Sequence, residues 1–144
     1  MAEHPQTHRF DVQPTVPGAA TGQALVLDEP LSLWGGLDPE TGKIIDQHHP
    51  QRGVCVAGTI LVMAYGRGSS SASSVLAEAV RLGTAPAAFV LQRSDEIVVL
   101  GCLVAEEIYG VVTPVVVCGE SDFEQISTGN HISIDGVALT HAAP

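Results

Sequence analysis

The sequence predicts a mixed α/β domain in which strand–helix units at the centre of the chain are flanked by β excursions at both ends. Short apolar runs at 54–65, 86–92 and 114–118, the first rich in β-branched residues, read as buried strands. Between them, apolar residues recur at three and four, first at Leu76, Ala79, Val80 and Gly83 and then at Ile97, Gly101, Val104 and Ile108, which is helical spacing. Near the end, Asp135-Gly136, a strong hairpin signal, separates the alternating run 131–134 from a returning strand at 137–139.

Residues 1–22 carry His4 and His8 but little apolar periodicity, and read as an ordered or partly ordered arm, leaving 23–144 as the domain. Strand 23–27 ends at Asp28-Glu29-Pro30, where proline disfavours central ladder pairing. In the loop that follows, Asp38-Pro39 starts a tight turn and Gly42 suits positive φ at its end, so that Leu37 and Lys43 face each other in a hairpin-like excursion. Gly35-Gly36 lets backbone approach a neighbour closely, with Trp34 available to cover it; a turn with an aromatic plug explains the same residues. His48, His49 and Arg52 share the next loop with Asp46, and adjacent histidines on an extended segment point to opposite sides, so one of them at most faces a given site. Substrate or partner contact, metal ligation and plain surface all remain readings of that loop.

The run 54–65 is one bent strand or two short ones broken near Gly58. After it, Ser69, Ser70 and Ser71 are candidate N-caps for a helix that Gly83 terminates, with Glu78 and Arg81 on its polar side. Strand 86–92 leads to Ser94-Asp95-Glu96, side chains that cap a helix running from Asp95 to about Ile108. Val98, Cys102 and Ala105 broaden its apolar stripe, which predicts heavy burial, and Gly110 stops it; the run 97–100 alone also fits a strand. A short helical turn at 122–126 separates the last buried strand from the hairpin.

At 144 residues the chain fits a single domain with a core that needs no metal or disulfide staple. Sixteen Asp and Glu against six Lys and Arg give a net charge of -10, which argues against a nucleic-acid or acidic-membrane partner. Charged residues are only 15% of the chain, so part of the apolar surface is expected to be interface. Cys55, Cys102 and Cys118 lie far apart among apolar residues without a CxxC spacing, and read as buried thiols rather than a disulfide framework or a metal site. Neither a secretory leader nor a membrane-length apolar run is present, so the expected location is the cytoplasm.

The segment Tyr65-Gly66-Arg67-Gly68-Ser69-Ser70-Ser71 combines glycines, an arginine and hydroxyls at a strand-to-helix junction, where unsatisfied amides and the helix dipole favour an anion. It lacks the G-x-S-x-G of a nucleophile elbow, the Lys-Ser/Thr of a P-loop and the third glycine of a dinucleotide site. A serine here needs a partner to act as a base. Helix capping alone also accounts for the cluster.

Four segments carry a family resemblance: Leu27-Asp28-Glu29-Pro30-Leu31-Ser32, Trp34-Gly35-Gly36-Leu37-Asp38-Pro39-Glu40-Thr41-Gly42, Gly66-Arg67-Gly68-Ser69-Ser70-Ser71 and Gly83-Thr84-Ala85-Pro86-Ala87-Ala88. Together they resemble the small subunit of the aconitase X family over residues 23–139. The resemblance implies a swivelling β/β/α domain of the aconitase type, a mixed sheet with packed helices and barrel-like excursions. It also implies a large subunit that supplies an iron–sulfur cluster and most of the pocket, this chain alone binding no cofactor. Such enzymes dehydrate small hydroxy acids, cis-3-hydroxy-L-proline in bacterial members and mevalonate 5-phosphate in archaeal ones. The Gly-x-Gly-Ser-Ser element is similar to the aconitase swivel loop whose first serine is the base, a position that falls on Ser69. Arg67, Gly68, Ser70 and Ser71 then become substrate contacts, and Trp34, Gly35, Gly36, His48, His49 and Arg52 an interface or site loop. Ser71 stands where the wider aconitase pattern has an arginine, so Arg67 or the large subunit supplies the charge. Residues 66–71 and 104–110 look more like the bacterial versions, which favours hydroxyproline over mevalonate phosphate. From a different class, a non-catalytic binding or assembly subunit would use the serines only as caps.

Overall fold

The computed structural model describes residues 7–66 and 71–144. Strands β1 (Thr7–Asp11), β2 (Gln13–Val16) and β3 (Ala19–Val26) open the chain, followed by a single turn α1 (Leu33–Gly36), β4 (Ile60–Met63) and α2 (Ser71–Leu82). Then come β5 (Ala88–Leu91), α3 (Glu96–Tyr109), β6 (Val115–Val117), the turn α4 (Glu120–Phe123), and the hairpin β7 (His131–Asp135) and β8 (Ala138–Ala142). The strands form one mixed sheet of eight in the order β1-β8-β7-β3-β4-β5-β6-β2.

The expected α/β core is the parallel run β3-β4-β5-β6, in register as Leu25, Leu61 and Phe89, then Val115. Side chains alternate across it. Leu61, Met63, Phe89, Leu91 and Val115 face α2 and α3, whereas Ile60, Val62, Ala88, Val90 and Val116 face Ile132, Ile134 and Leu139 of the antiparallel strands. The result is a β/β/α sandwich with a core on each side of the parallel strands. β3 serves both sheets, its first half pairing antiparallel with β7 and its second half parallel with β4. Gly22 at the switch leaves room for the Gly58 carbonyl, which would lie 2.9 Å from an added Cβ.

The segment read as an arm is part of the sheet from Thr7 onward. β1 pairs with β8 at one edge and β2 with β6 at the other, although only Val12 separates them in sequence. That single residue forces the two edges together, so the sheet curls into a near-barrel. Periodicity did not reveal these strands because their residues are mostly exposed or half-buried, which leaves no apolar alternation to read.

Three further expectations change. The run 54–65 is a strand only at β4; Gly58, at φ 71°, breaks it. Cys102 and Cys118 are buried but Cys55 is exposed, in an isolated bridge with Lys43. Helix α3 is capped at both ends as expected, by Asp95 and by Gly110 in the left-handed region, yet it buries one narrow face of Val98, Gly101, Cys102 and Ala105. Leu100, Leu103 and Val104 lie exposed, and Ile108 is 64% exposed. Close packing on α2 selects the small residues for the inner face: a Cβ on Gly101 would sit 2.9 Å from Leu76 Cδ2.

Candidate functional site

All four parallel strands point their carboxyl ends to one edge of the sheet, the edge where α/β sheets hold ligands. The segments that gather there are 27–32 after β3, 64–66 after β4, 92–95 after β5 and 118–119 after β6. Among the predicted site residues, Arg67, Gly68, Ser69 and Ser70 lie outside the described residues. Ser71 is described; it is exposed and begins α2, whose buried face of Ala72, Leu76, Ala79 and Val80 anchors the helix on the core.

Contacts around Ala64, Tyr65 and Gly66 fix the exit from β4. Gln92 N–H and Arg93 N–H both donate to the Ala64 carbonyl at 3.0 Å, which ties the end of β5 to the end of β4. The Arg93 guanidinium then stacks over Tyr65, 4.0 Å from the ring centroid, so an exposed cation is held beside Gly66 by a cation–π contact. Asp95 Oδ1 accepts from Ile97 N–H at 2.9 Å and Val98 N–H at 3.0 Å, capping α3. Leu31, Leu33, Gly66, Ala72, Asp95, Ile97 and Val98 enclose a cavity of about 20 Å³, the size of one water.

Leu31 and Leu33 bring the turn α1 to this place. Trp34 does not cover the glycine pair: it is 59% exposed, with Gly35 at φ 77° turning the backbone and Gly36 buried against Leu31. The hairpin beyond it forms as expected with its bridge one residue further along, Leu37 to Ile44, while Asp38 N–H donates to the Lys43 carbonyl at 3.0 Å. Gly42, at φ 75°, faces the Thr84 carbonyl and admits no side chain.

The two histidines separate as their alternation required. His48 and Arg52 are exposed, and His49 is buried. His49 Nδ1 accepts from Gln51 N–H at 3.0 Å, so Nε2 carries the proton and donates to the Glu29 carbonyl at 2.9 Å. Both ring nitrogens are engaged, which makes His49 a latch for the β3 exit loop rather than a base or a ligand. Gln51 completes the latch through Val26 O and Asp28 N–H. Pattern reading missed Gln51, Tyr65, Arg93 and the second role of Asp95, because each acts through a contact distant in sequence.

The thiols do not form an iron–sulfur ligand set. Cys102 lies in the core under the helices, Cys118 in the core under the antiparallel strands, and Cys55 on the surface. Burial pushes both buried thiols up to about 12, far from the thiolate that ligation needs. Among the described residues no group of three or more His, Cys, Asp or Glu is placed to hold a metal ion. No helix among them is long and apolar enough to cross a membrane.

Comparison with known proteins agrees with this architecture. A similar fold is found in a crystal structure of holo-form aconitase X from Thermococcus kodakaraensis, the match covering 93% of this chain and 98% of that one at a TM-score of 0.83 and 29% identity. A cis-3-hydroxy-L-proline dehydratase of Hypocrea jecorina is 39% identical over 132 residues, 92% of this chain but 22% of the relative. The chain thus spans about a fifth of that relative's length. A phosphomevalonate dehydratase small subunit of Methanocella arvoryzae is 34% identical over 121 residues, 84% of this chain and 88% of the relative. Residues 9–141 match the aconitase X swivel domain, and the chain belongs to that family.

Proposed function

We propose that this chain is the small, swivelling subunit of a cytoplasmic hydro-lyase that dehydrates cis-3-hydroxy-L-proline together with a large aconitase X subunit. One observation supports the reading: β4 ends at the edge where parallel α/β sheets hold ligands, and the Gly66–Ser71 motif lies in sequence between it and α2. Ser69 takes the proton from the carbon α to the carboxylate while the C3 hydroxyl leaves as water, and the resulting enamine tautomerises to pyrroline-2-carboxylate. Arg67, Gly68, Ser70 and Ser71 hold the carboxylate, aided by the positive end of α2. The iron–sulfur cluster, whose Lewis acidity would ease departure of the hydroxyl, belongs to the large subunit, since the thiols of this chain do not converge. Trp34, Gly35, His48 and Arg52, exposed beside this edge, form the rim that meets that subunit, and the buried Gly36 and His49 hold the rim in shape.

Greater identity to the hydroxyproline dehydratase favours hydroxyproline; the length match to the phosphomevalonate dehydratase small subunit supports mevalonate 5-phosphate as the second substrate to assay. The test is Ser69→Ala in the co-expressed two-subunit enzyme, assayed on both substrates. A loss of about 10³-fold or more in kcat on hydroxyproline is expected, in the range for removal of a general base. Activity surviving within a few-fold refutes Ser69 as base and favours a capping role; turnover of mevalonate 5-phosphate alone refutes the substrate.

A further inference from the structure

The Asp95 carboxylate is oriented by one oxygen and used through the other. Oδ1 is fixed by the amides of Ile97 and Val98, at 2.9 and 3.0 Å, so the carboxylate plane cannot rotate without breaking the cap. This turns Oδ2 onto Gly66. A Cβ on Gly66 would overlap Oδ2 and lie 3.1 Å from Asp95 Cγ and 3.4 Å from Val98 Cγ2. Gly66 is not among the glycines at positive φ, so its lack of a side chain answers to the space that Asp95 occupies and not to the backbone. Ala72, in the first turn of α2, lines the same small cavity as Gly66 and Asp95. One side chain, anchored on α3, thereby packs on the end of the β4 exit at Gly66 and borders the cavity that Ala72 also lines.

We propose that Asp95 is a positioning residue for the serine at position 69: it fixes where the chain leaves β4 at Gly66, three residues before Ser69. The proposal rests on the reading of Ser69 as base. Displacing a reacting group by about 1 Å costs up to about 10²-fold in rate. Asp95 itself touches neither substrate nor cluster. Its removal therefore lowers kcat and leaves KM nearly alone, and asparagine, which keeps both the capping oxygen and the bulk over Gly66, replaces it.

The experiment uses the co-expressed two-subunit enzyme. It compares Asp95→Ala, Asp95→Asn and, as a control that loosens the same helix away from the loop, Ala105→Gly. Two quantities are read: kcat and KM on hydroxyproline, and hydrogen exchange of the peptide spanning residues 65–72. Asp95→Ala should lower kcat about 10- to 100-fold with KM within about three-fold, and speed exchange of that peptide about ten-fold. Asp95→Asn should restore both, and Ala105→Gly should change neither. Should Asp95→Ala not fold, Gly66→Ala drives the carboxylate away from the other side and should give the same kcat loss. Unchanged exchange in Asp95→Ala, or equal loss of kcat in Ala105→Gly, overturns the proposal. Ser69→Ala, run in parallel, separates the two ideas. If that variant stays active the reading of Ser69 fails, while exchange still decides whether Asp95 holds the loop.

Discussion

Gly101→Ala is expected to destabilise the domain, although the same change in an ordinary helix interior is stabilising by about 1 kcal/mol. Gly101 lies in the middle of α3, where it touches α2. An added Cβ would meet Leu76 Cδ2 at 2.9 Å, Leu76 Cβ at 3.1 Å and the Ser73 carbonyl at 3.1 Å. Two of those neighbours cannot give way easily: the carbonyl belongs to the α2 backbone, and Leu76 is fully buried in the core. Overpacking of this kind costs about 1–3 kcal/mol, so after the propensity gain the net change is a loss of about 1 kcal/mol. Chemical denaturation of the isolated chain should show a lower midpoint at unchanged slope. The cycle with Leu76→Ala sharpens the test. That truncation alone costs about 2–5 kcal/mol, but it opens the space the new methyl needs, so in its background Gly101→Ala should become neutral or stabilising. A Gly101→Ala variant of the wild-type chain that gains about 1 kcal/mol would refute the close approach of the two helices, and with it the reason for the small residues along the inner face of α3.

Two further outcomes follow from the buried imidazoles. His49→Ala removes a donor to the Glu29 carbonyl and an acceptor for Gln51 N–H inside a buried latch, and should cost about 1–3 kcal/mol in chemical denaturation, with faster amide exchange confined to residues 26–31 and 46–53. His141 is buried with no partner for Nε2 among the described residues, and burial first, then the nearby His8, holds it below the ordinary histidine range. Below about pH 6.5 the unfolded chain therefore binds a proton that the folded chain resists, and stability falls as pH drops; denaturation midpoints between pH 8 and 5 should show this decline, and His141→Phe, beside Phe10, should flatten it.

The elements legible in the sequence are those whose local signals agree with their burial. β4, β5 and β6 are short continuous apolar runs because helices cover one face and strands the other. α3 has Asp95 and Gly110 at its ends, and the β7–β8 hairpin has Asp135-Gly136, with Gly136 at φ 60°. β1 and β2 were illegible for the opposite reason: their pairing partners, β8 and β6, lie about a hundred residues or more away, and edge strands need no apolar alternation. The buried face of α3 was misjudged because periodicity ranks residues by hydrophobicity, whereas the α2 contact ranks them by size. Gly101, Cys102 and Ala105 go inward and Ile108 stays out.

At the candidate site, the sequence marked residue types but not what they were already doing. His49 has the chemistry of a base and spends both nitrogens on a loop; Asp46 holds the backbone of His48 and His49, and Gln51 holds Val26 and Asp28. Asp95 has the chemistry of an acid and spends one oxygen on α3. The polar groups around this edge thus make a stiff frame, which is what the proposed role of Ser69 requires if its hydroxyl is to be placed to a fraction of an ångström. The same engagement leaves the frame with no buried base or clustered metal ligands to offer among the described residues. A frame of this kind supports the proposal of an active site shared with a large subunit, for which this chain would supply placement.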